Sequence, residues 1–196
     1  MENDGDKTGT TARSATRETV VSAARNHLIA GRKLDMVALA AELGVGRATL
    51  YRWTGGREIL MREVLESFLY ESFARLDRHA ARRQLQGKER IAYEFEEMMR
   101  LLVASQPVRA LLKNEPDVGL RLLTDSSEGG LQGTSIARLV RILDEEKAAG
   151  RYKPRIAPRL LALAAVRLVD SYVYGNIIAG IPIDMNVANQ VLHGLL

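Results

Sequence analysis

No cysteine occurs among the 196 residues, which excludes disulfides, thiolate metal sites and cysteine nucleophiles and suits a reducing compartment. Aromatic residues make up only 5% and prolines number five, and nowhere do β-branched and polar residues alternate over the length of a strand. With Ala, Leu, Arg and Glu abundant instead, the expected fold class is all-α. The three histidines, His27, His79 and His193, are far apart and show no paired spacing, so no metal site is expected. There is no phosphate-binding glycine loop, nucleophile elbow or dinucleotide motif, so neither a cofactor nor an enzyme activity is expected. The most apolar stretch, residues 160–181, is interrupted by Arg167 and Asp170, charges that are costly in lipid. The N-terminus, MENDGDKTGTT, is acidic and polar without the apolar centre of a secretory signal. The expectation is a cytoplasmic protein that does not enter a membrane.

What is present is 46% apolar and 27% charged residues, enough to bury a full core. The net charge of +4 is unevenly spread. Residues 1–12 carry one basic and three acidic groups, residues 13–57 carry eight against three, and residues 58–196 carry nineteen against eighteen. The positive excess therefore sits in one short segment, the pattern of a small module that meets a polyanion while the larger remainder does something else.

Helical periodicity and breakers divide the chain. A polar tail, 1–12, is expected to be disordered. Val20, Val21, Ala24 and Leu28 predict a helix over 16–30, stopped at Gly31. Asp35 is placed as the N-cap of a short helix that Gly44 closes, and a third short helix fits 47–53 before Thr54-Gly55-Gly56. A long amphipathic helix follows from Arg57, with apolar pairs Leu60/Met61, Val64/Leu65 and Phe68/Leu69. Further helices are expected over 89–104, 107–114, 118–123, 134–149, 156–179 and 185–195. Residues 125–134, with three glycines and two serines, read as a mobile loop.

Two short helices joined through Gly44-Val45-Gly46 have the grammar of a helix-turn-helix. In the second, Leu50 and Trp53 can face inward, leaving Arg47, Ala48, Thr49, Tyr51 and Arg52 to face DNA. First-turn Arg47 and Thr49 suit base edges. Tyr51 and Arg52 suit phosphates, and Arg57 and Arg17 are further phosphate candidates.

The segment ALAAELGVGRATLYRWTGGREIL, Ala38 to Leu60, resembles the signature of TetR-family transcriptional regulators. Leu39, Ala40, Gly44, Val45, Leu50, Tyr51, Trp53, Arg57, Glu58 and Leu60 match it in register. Gly46, Thr54 and Gly56 depart from it, standing where a hydroxyl cap, an aromatic and a polar residue are usual. The second departure predicts looser packing of the recognition helix. LLKNEPDVGLRLLT and RLVDSYVYGNIIAGIPIDMN resemble the C-terminal domain of the QsdR-type subgroup. The resemblance implies a DNA-binding domain over 13–57 and a larger effector-binding and dimerisation domain over 58–196. It also implies a repressor that holds a palindromic double-stranded DNA operator as a homodimer and is released by a small apolar effector, with acyl lactones or related acyl compounds first in line. A helical effector-binding protein without DNA binding and a small helical enzyme are the alternatives.

In the larger part, the helix over 156–179 is apolar on most sides, which burial on several faces tolerates. It is either a dimer-forming helix, for which Val169→Asp or Val173→Asp would give monomers, or a central core helix. Arg167, Asp170 and Tyr174 form a polar line across it: an internal Arg167–Asp170 pair, or part of an effector pocket with Tyr93 and Met98. The carboxylates at 94, 96 and 97 and at 144–146 read as solvated helix faces.

Overall fold

The computed structural model describes residues 16–196. The expected tail at 1–12 and the first residues of the 13–57 segment lie outside the described residues. Ten helices and no strand occur among the described residues. They are α1 (Arg17–Ile29), α2 (Met36–Glu42), α3 (Arg47–Thr54) and α4 (Arg57–Arg82). After these come α5 (Gly87–Ala104), α6 (Gln106–Asn114), α7 (Pro116–Leu123), α8 (Leu131–Ala148), α9 (Pro158–Ala179) and α10 (Met185–Leu195).

Local chemistry sets the starts of these helices. Thr16 and Thr19 form a reciprocal cap on α1, each side-chain oxygen accepting from the other's backbone N–H. Asp35 accepts from the N–H groups of Val37 and Ala38, and those two bonds hold its carboxyl below its usual range. Ser105 followed by Pro107 starts α6, and Asp184 caps α10.

One apolar cluster runs from Val20 in α1 through Leu50, Leu60, Met61 and Ile142 to Leu192 in α10. The α1–α3 unit packs on the start of α4, whose body joins α5 and α8 in the larger helical part, with α9 packed on α8. By length and composition α9 could cross a membrane, but here Leu161, Ala162, Ala165, Val169 and Val173 are buried in the protein core.

Three expectations are corrected. Residues 125–130 form a knitted turn, because Asp125 accepts from the Ser127 N–H and hydroxyl and its carbonyl accepts from the N–H groups of Gln132 and Gly133. As a result α8 begins at Leu131, with Leu131 and Gln132 buried. Glu94 and Glu146 are buried ion-pair partners of Arg138 and of Arg90 with Arg151, not solvated carboxylates. Val169 and Val173 face the protein's own core, so they are not probes of a dimer surface.

Candidate nucleic-acid interface and ligand cavity

The turn between α2 and α3 depends on Gly44, whose φ of +63° lies in the left-handed region that favours glycine. Gly46 caps α3 without a side-chain bond. Leu50 is fully buried beneath the helix, and Thr54 is buried as well. The Thr54 hydroxyl donates to the Leu50 carbonyl and accepts from the Gly56 N–H, so this residue closes the helix by hydrogen bonding where an aromatic would close it by packing.

On the outer face Arg47, Ala48, Tyr51 and Arg52 are exposed and Thr49 is half-buried. Arg47 and Arg52 make no hydrogen bond or ion pair with any described residue. By contrast Arg17, Arg25, Arg57, Arg62, Arg90, Arg121 and Arg138 are all paired. The α3 helix thus presents two guanidinium groups and a phenol with no partner among the described residues, the chemistry that base edges and phosphates require.

Arg57 and Arg17 are held differently. Arg57 donates from Nε to the Leu34 carbonyl at 2.6 Å and pairs through its terminal nitrogen with Glu115, which Lys33 also approaches at 3.6 Å. Glu115 sits at the corner between α6 and α7. Arg57 is therefore a strap between the helix-turn-helix and that corner. Half-exposed Arg17 donates to the Trp53 carbonyl at 3.3 Å and pairs with Glu63 at 2.8 Å, tying α1 to the end of α3 and to α4. Glu58 pairs with Arg121 of α7, and Arg62 with Asp125 at 2.6 Å. The Ser127 hydroxyl and Arg62 hold the Asp125 carboxyl down to about 2. The first two turns of α4 are thus strapped on one side to the α1–α3 unit and on the other to α7 and the turn after it.

A cavity of about 690 Å³ lies between α4, α5, α8 and α9, within the size range of small-molecule sites. Its wall is largely apolar, with Phe68, Phe95, Met98, Leu102, Leu139 and Val169. At one end are three buried polar residues, Gln132, Asp170 and Tyr174. Asp170 accepts from the Gln132 amide and is hydrogen-bonded by the Tyr174 hydroxyl. Burial nonetheless pushes the Asp170 carboxyl up to about 6 and raises the Tyr174 phenol well above its usual value. Between these two residues α9 widens into a π-helical turn, Ser171–Gly175, an irregularity that often marks functional positions.

Of the sequence-predicted pocket residues, Met98, Asp170 and Tyr174 line the cavity. Tyr93 does not, because it turns from the cavity to stack on His79 at 5.2 Å. Arg167 is exposed and forms no ion pair with Asp170, so the internal pair is not the answer to the polar line. Gln132 was hidden by its place in an apparent loop. Arg138 reaches the cavity wall, but Glu94 and Asp77 bind its guanidinium and it lies over the Phe73 ring at 4.5 Å. Elsewhere on the larger part, Leu160, Leu163 and Ile178 of α9 and Val187 and Val191 of α10 leave apolar side chains exposed on two helices that pack together.

A family model described as the tetracyclin repressor-like C-terminal domain matches residues 86–196. Among solved structures, the chain is similar to the R. erythropolis transcriptional repressor QsdR from the TetR family. That match has 32% identity and a TM-score of 0.74, covering 92% of this chain and 93% of that one. It is also similar in fold to the transcriptional regulator FadR from Bacillus subtilis, solved in complex with stearoyl-CoA. Identity there is 14% and the TM-score 0.63, over 92% of this chain and 97% of that one. No curated protein sequence matches the chain.

Proposed function

This chain belongs to the TetR family of transcriptional regulators, and from that premise we propose that it is a cytoplasmic repressor that binds a palindromic operator as a homodimer and leaves it when a small apolar effector enters the helical part. The observation that carries the reading is the outward face of α3, where exposed Arg47 and Arg52 make no ion pair among the described residues while Arg17 and Arg57 beside them are both paired. Residues 13–57 form the DNA-binding domain and residues 58–196 the effector-binding and dimerisation domain. Arg47, Ala48 and Thr49 meet base edges in the major groove. Tyr51, Arg52 and the half-exposed Arg17 lie along the phosphates. Arg57 acts through its strap to Glu115, setting the angle of α4 against the DNA-facing unit.

The exposed apolar stripe on α9 and α10 supports a dimer. Two recognition helices then enter successive major grooves about 34–36 Å apart. A dimer seated on a promoter excludes RNA polymerase sterically. The cavity receives the effector against Met98, Asp170 and Tyr174. Release requires tighter ligand binding to the released conformation than to the DNA-bound one. A coupling of about 1–3 kcal/mol weakens operator binding roughly 5- to 150-fold. The straps at the start of α4 supply a physical route from cavity to groove. The apolar wall favours acyl-bodied effectors, acyl lactones among them.

Selection from random duplexes tests this reading. The expected product is an inverted repeat with half-site centres about 10 base pairs, or a multiple of one turn, apart. Failure to enrich any duplex overturns it.

A further inference from the structure

Resting on the reading of the cavity as an effector site, we propose that Gln132 and Asp170 select the effector by its head group: an apolar-bodied molecule whose head donates a hydrogen bond and carries no negative charge. The polar end of the cavity is built for a donor. Gln132, on the first turn of α8, is only 2% exposed. Its amide nitrogen is engaged by Asp170, which fixes the orientation of the amide because a carboxylate can only accept. Its Oε1 is then left buried with no hydrogen-bond partner among the described residues, on a residue that lines the cavity. A buried acceptor without a donor is a standing deficit that a ligand N–H or O–H removes.

The charges around this end exclude an anion. Asp170 is 8% exposed, and the donors that reach it are the Gln132 amide and the Tyr174 hydroxyl, both uncharged. The buried cation at the wall, Arg138, is matched by two carboxylates: it donates from Nε and a terminal nitrogen to Glu94 and from both terminal nitrogens to Asp77. Arg75 and Arg78, which also line the cavity, are solvent-exposed on α4. A carboxylate head brought to Gln132 would meet the like charge of Asp170 and an oxygen that cannot donate, with no free buried cation to offset its desolvation. An amide or alcohol donates to Gln132 Oε1, and an ammonium donates there while pairing with Asp170.

The test is calorimetric titration of the full-length protein with ten-carbon ligands that differ only at the head: decanamide, decylamine, decanol, decanoate and methyl decanoate. At least one of the three donors is expected to bind about tenfold tighter than decanoate and than methyl decanoate, the difference that one hydrogen bond to a buried partner makes. Gln132→Met should bring decanamide and decanol down to the affinity of the ester while leaving the ester within about twofold. Asp170→Asn, which removes the pairing charge, should weaken decylamine most. Decanoate or methyl decanoate binding as tightly as every donor overturns the proposal, as does failure of the whole series to bind. If Gln132→Met does not fold, the order of the wild-type series decides by itself. Operator affinity is measured with each ligand present. A donor preference that leaves operator affinity unchanged refutes the effector reading and leaves the head-group rule standing, whereas a preference for the carboxylate that releases operator does the reverse.

Discussion

Asp170→Asn is expected to stabilise this protein at neutral pH and to lose that advantage in acid. Burial raises the Asp170 carboxyl to about 6 from an ordinary 3.8. The difference of roughly two pH units corresponds to about 3 kcal/mol of penalty for holding the ionised group in the folded state. The native state binds the proton that the unfolded chain has already released between these two values. Wild-type stability therefore rises as pH falls from 6 towards 3.8, and the full penalty is felt above 6. Asparagine removes the charge but has a single acceptor oxygen for the two donors, Gln132 and Tyr174, a loss of about 1 kcal/mol. The net gain at pH 7 is about 1–2 kcal/mol. Urea unfolding of both proteins at one fixed concentration, at pH 7 and pH 4, measures the difference, the fixed concentration being required because the stability of any dimer depends on it. A variant less stable than wild type at pH 7, or a difference that does not change between the two pH values, refutes the reasoning.

Other perturbations separate the remaining roles. Leu163→Glu or Val191→Asp on the exposed stripe should yield folded monomers in sedimentation, whereas Val173→Asp, fully inside the core, should unfold the chain; folded dimers from all three would remove the interface. Arg47→Ala should relax preference at one base pair of the operator at a cost of about 1–3 kcal/mol, and Tyr51→Phe should weaken all sites alike, as read by binding to the operator and its point mutants. Glu146 is held down to about 2 by Arg151 and Arg90 and by the Gly87 N–H. Glu146→Gln should cost about 3 kcal/mol in denaturant unfolding at pH 7. That cost is present above pH 4.5 and is lost as pH falls towards 2, because the pairing is lost as the folded carboxylate protonates. Glu115→Gln loosens the strap to Arg57 and should shrink the ligand-induced change in operator affinity; an unchanged ratio would take the strap out of the coupling.

The α1–α3 unit was legible in the sequence because its determinants are local. Asp35 caps the residues two and three positions on, Gly44 and Gly55 supply the left-handed turns, and Leu50 sits three and four residues from its helix neighbours. The cavity was legible only in part, since its chemistry is assembled from residues far apart in the chain. Asp170 and Tyr174 stand out as polar residues on an apolar helix, but their partner Gln132 lies 38 positions from Asp170 in a glycine-rich stretch whose turn is organised by Asp125. The same distance hid Glu94 and Glu146, whose acidic neighbours suggested a wet face while Arg138 and Arg90 reach them from other helices. Arg57 matched a DNA-contact pattern by position, yet Glu115, 58 residues away, claims it. Periodicity showed that α9 is apolar around most of its circumference. It could not say which stripe meets the core, and that stripe is Leu161, Ala165, Val169 and Val173, leaving Leu160 and Leu163 outside.

The central claim is that the free cations of α3 hold DNA, and the salt dependence of operator binding tests it most directly. Phosphate contacts release counterions, so the logarithm of the association constant should fall linearly with the logarithm of salt concentration, by roughly 0.9 for each phosphate neutralised. Fluorescence anisotropy with the selected duplex should show such a fall for the wild-type protein, and a shallower slope together with weaker binding for the Arg47→Ala, Arg52→Ala double variant. An affinity that ignores salt, or a double variant that binds with wild-type slope and strength, would contradict the account.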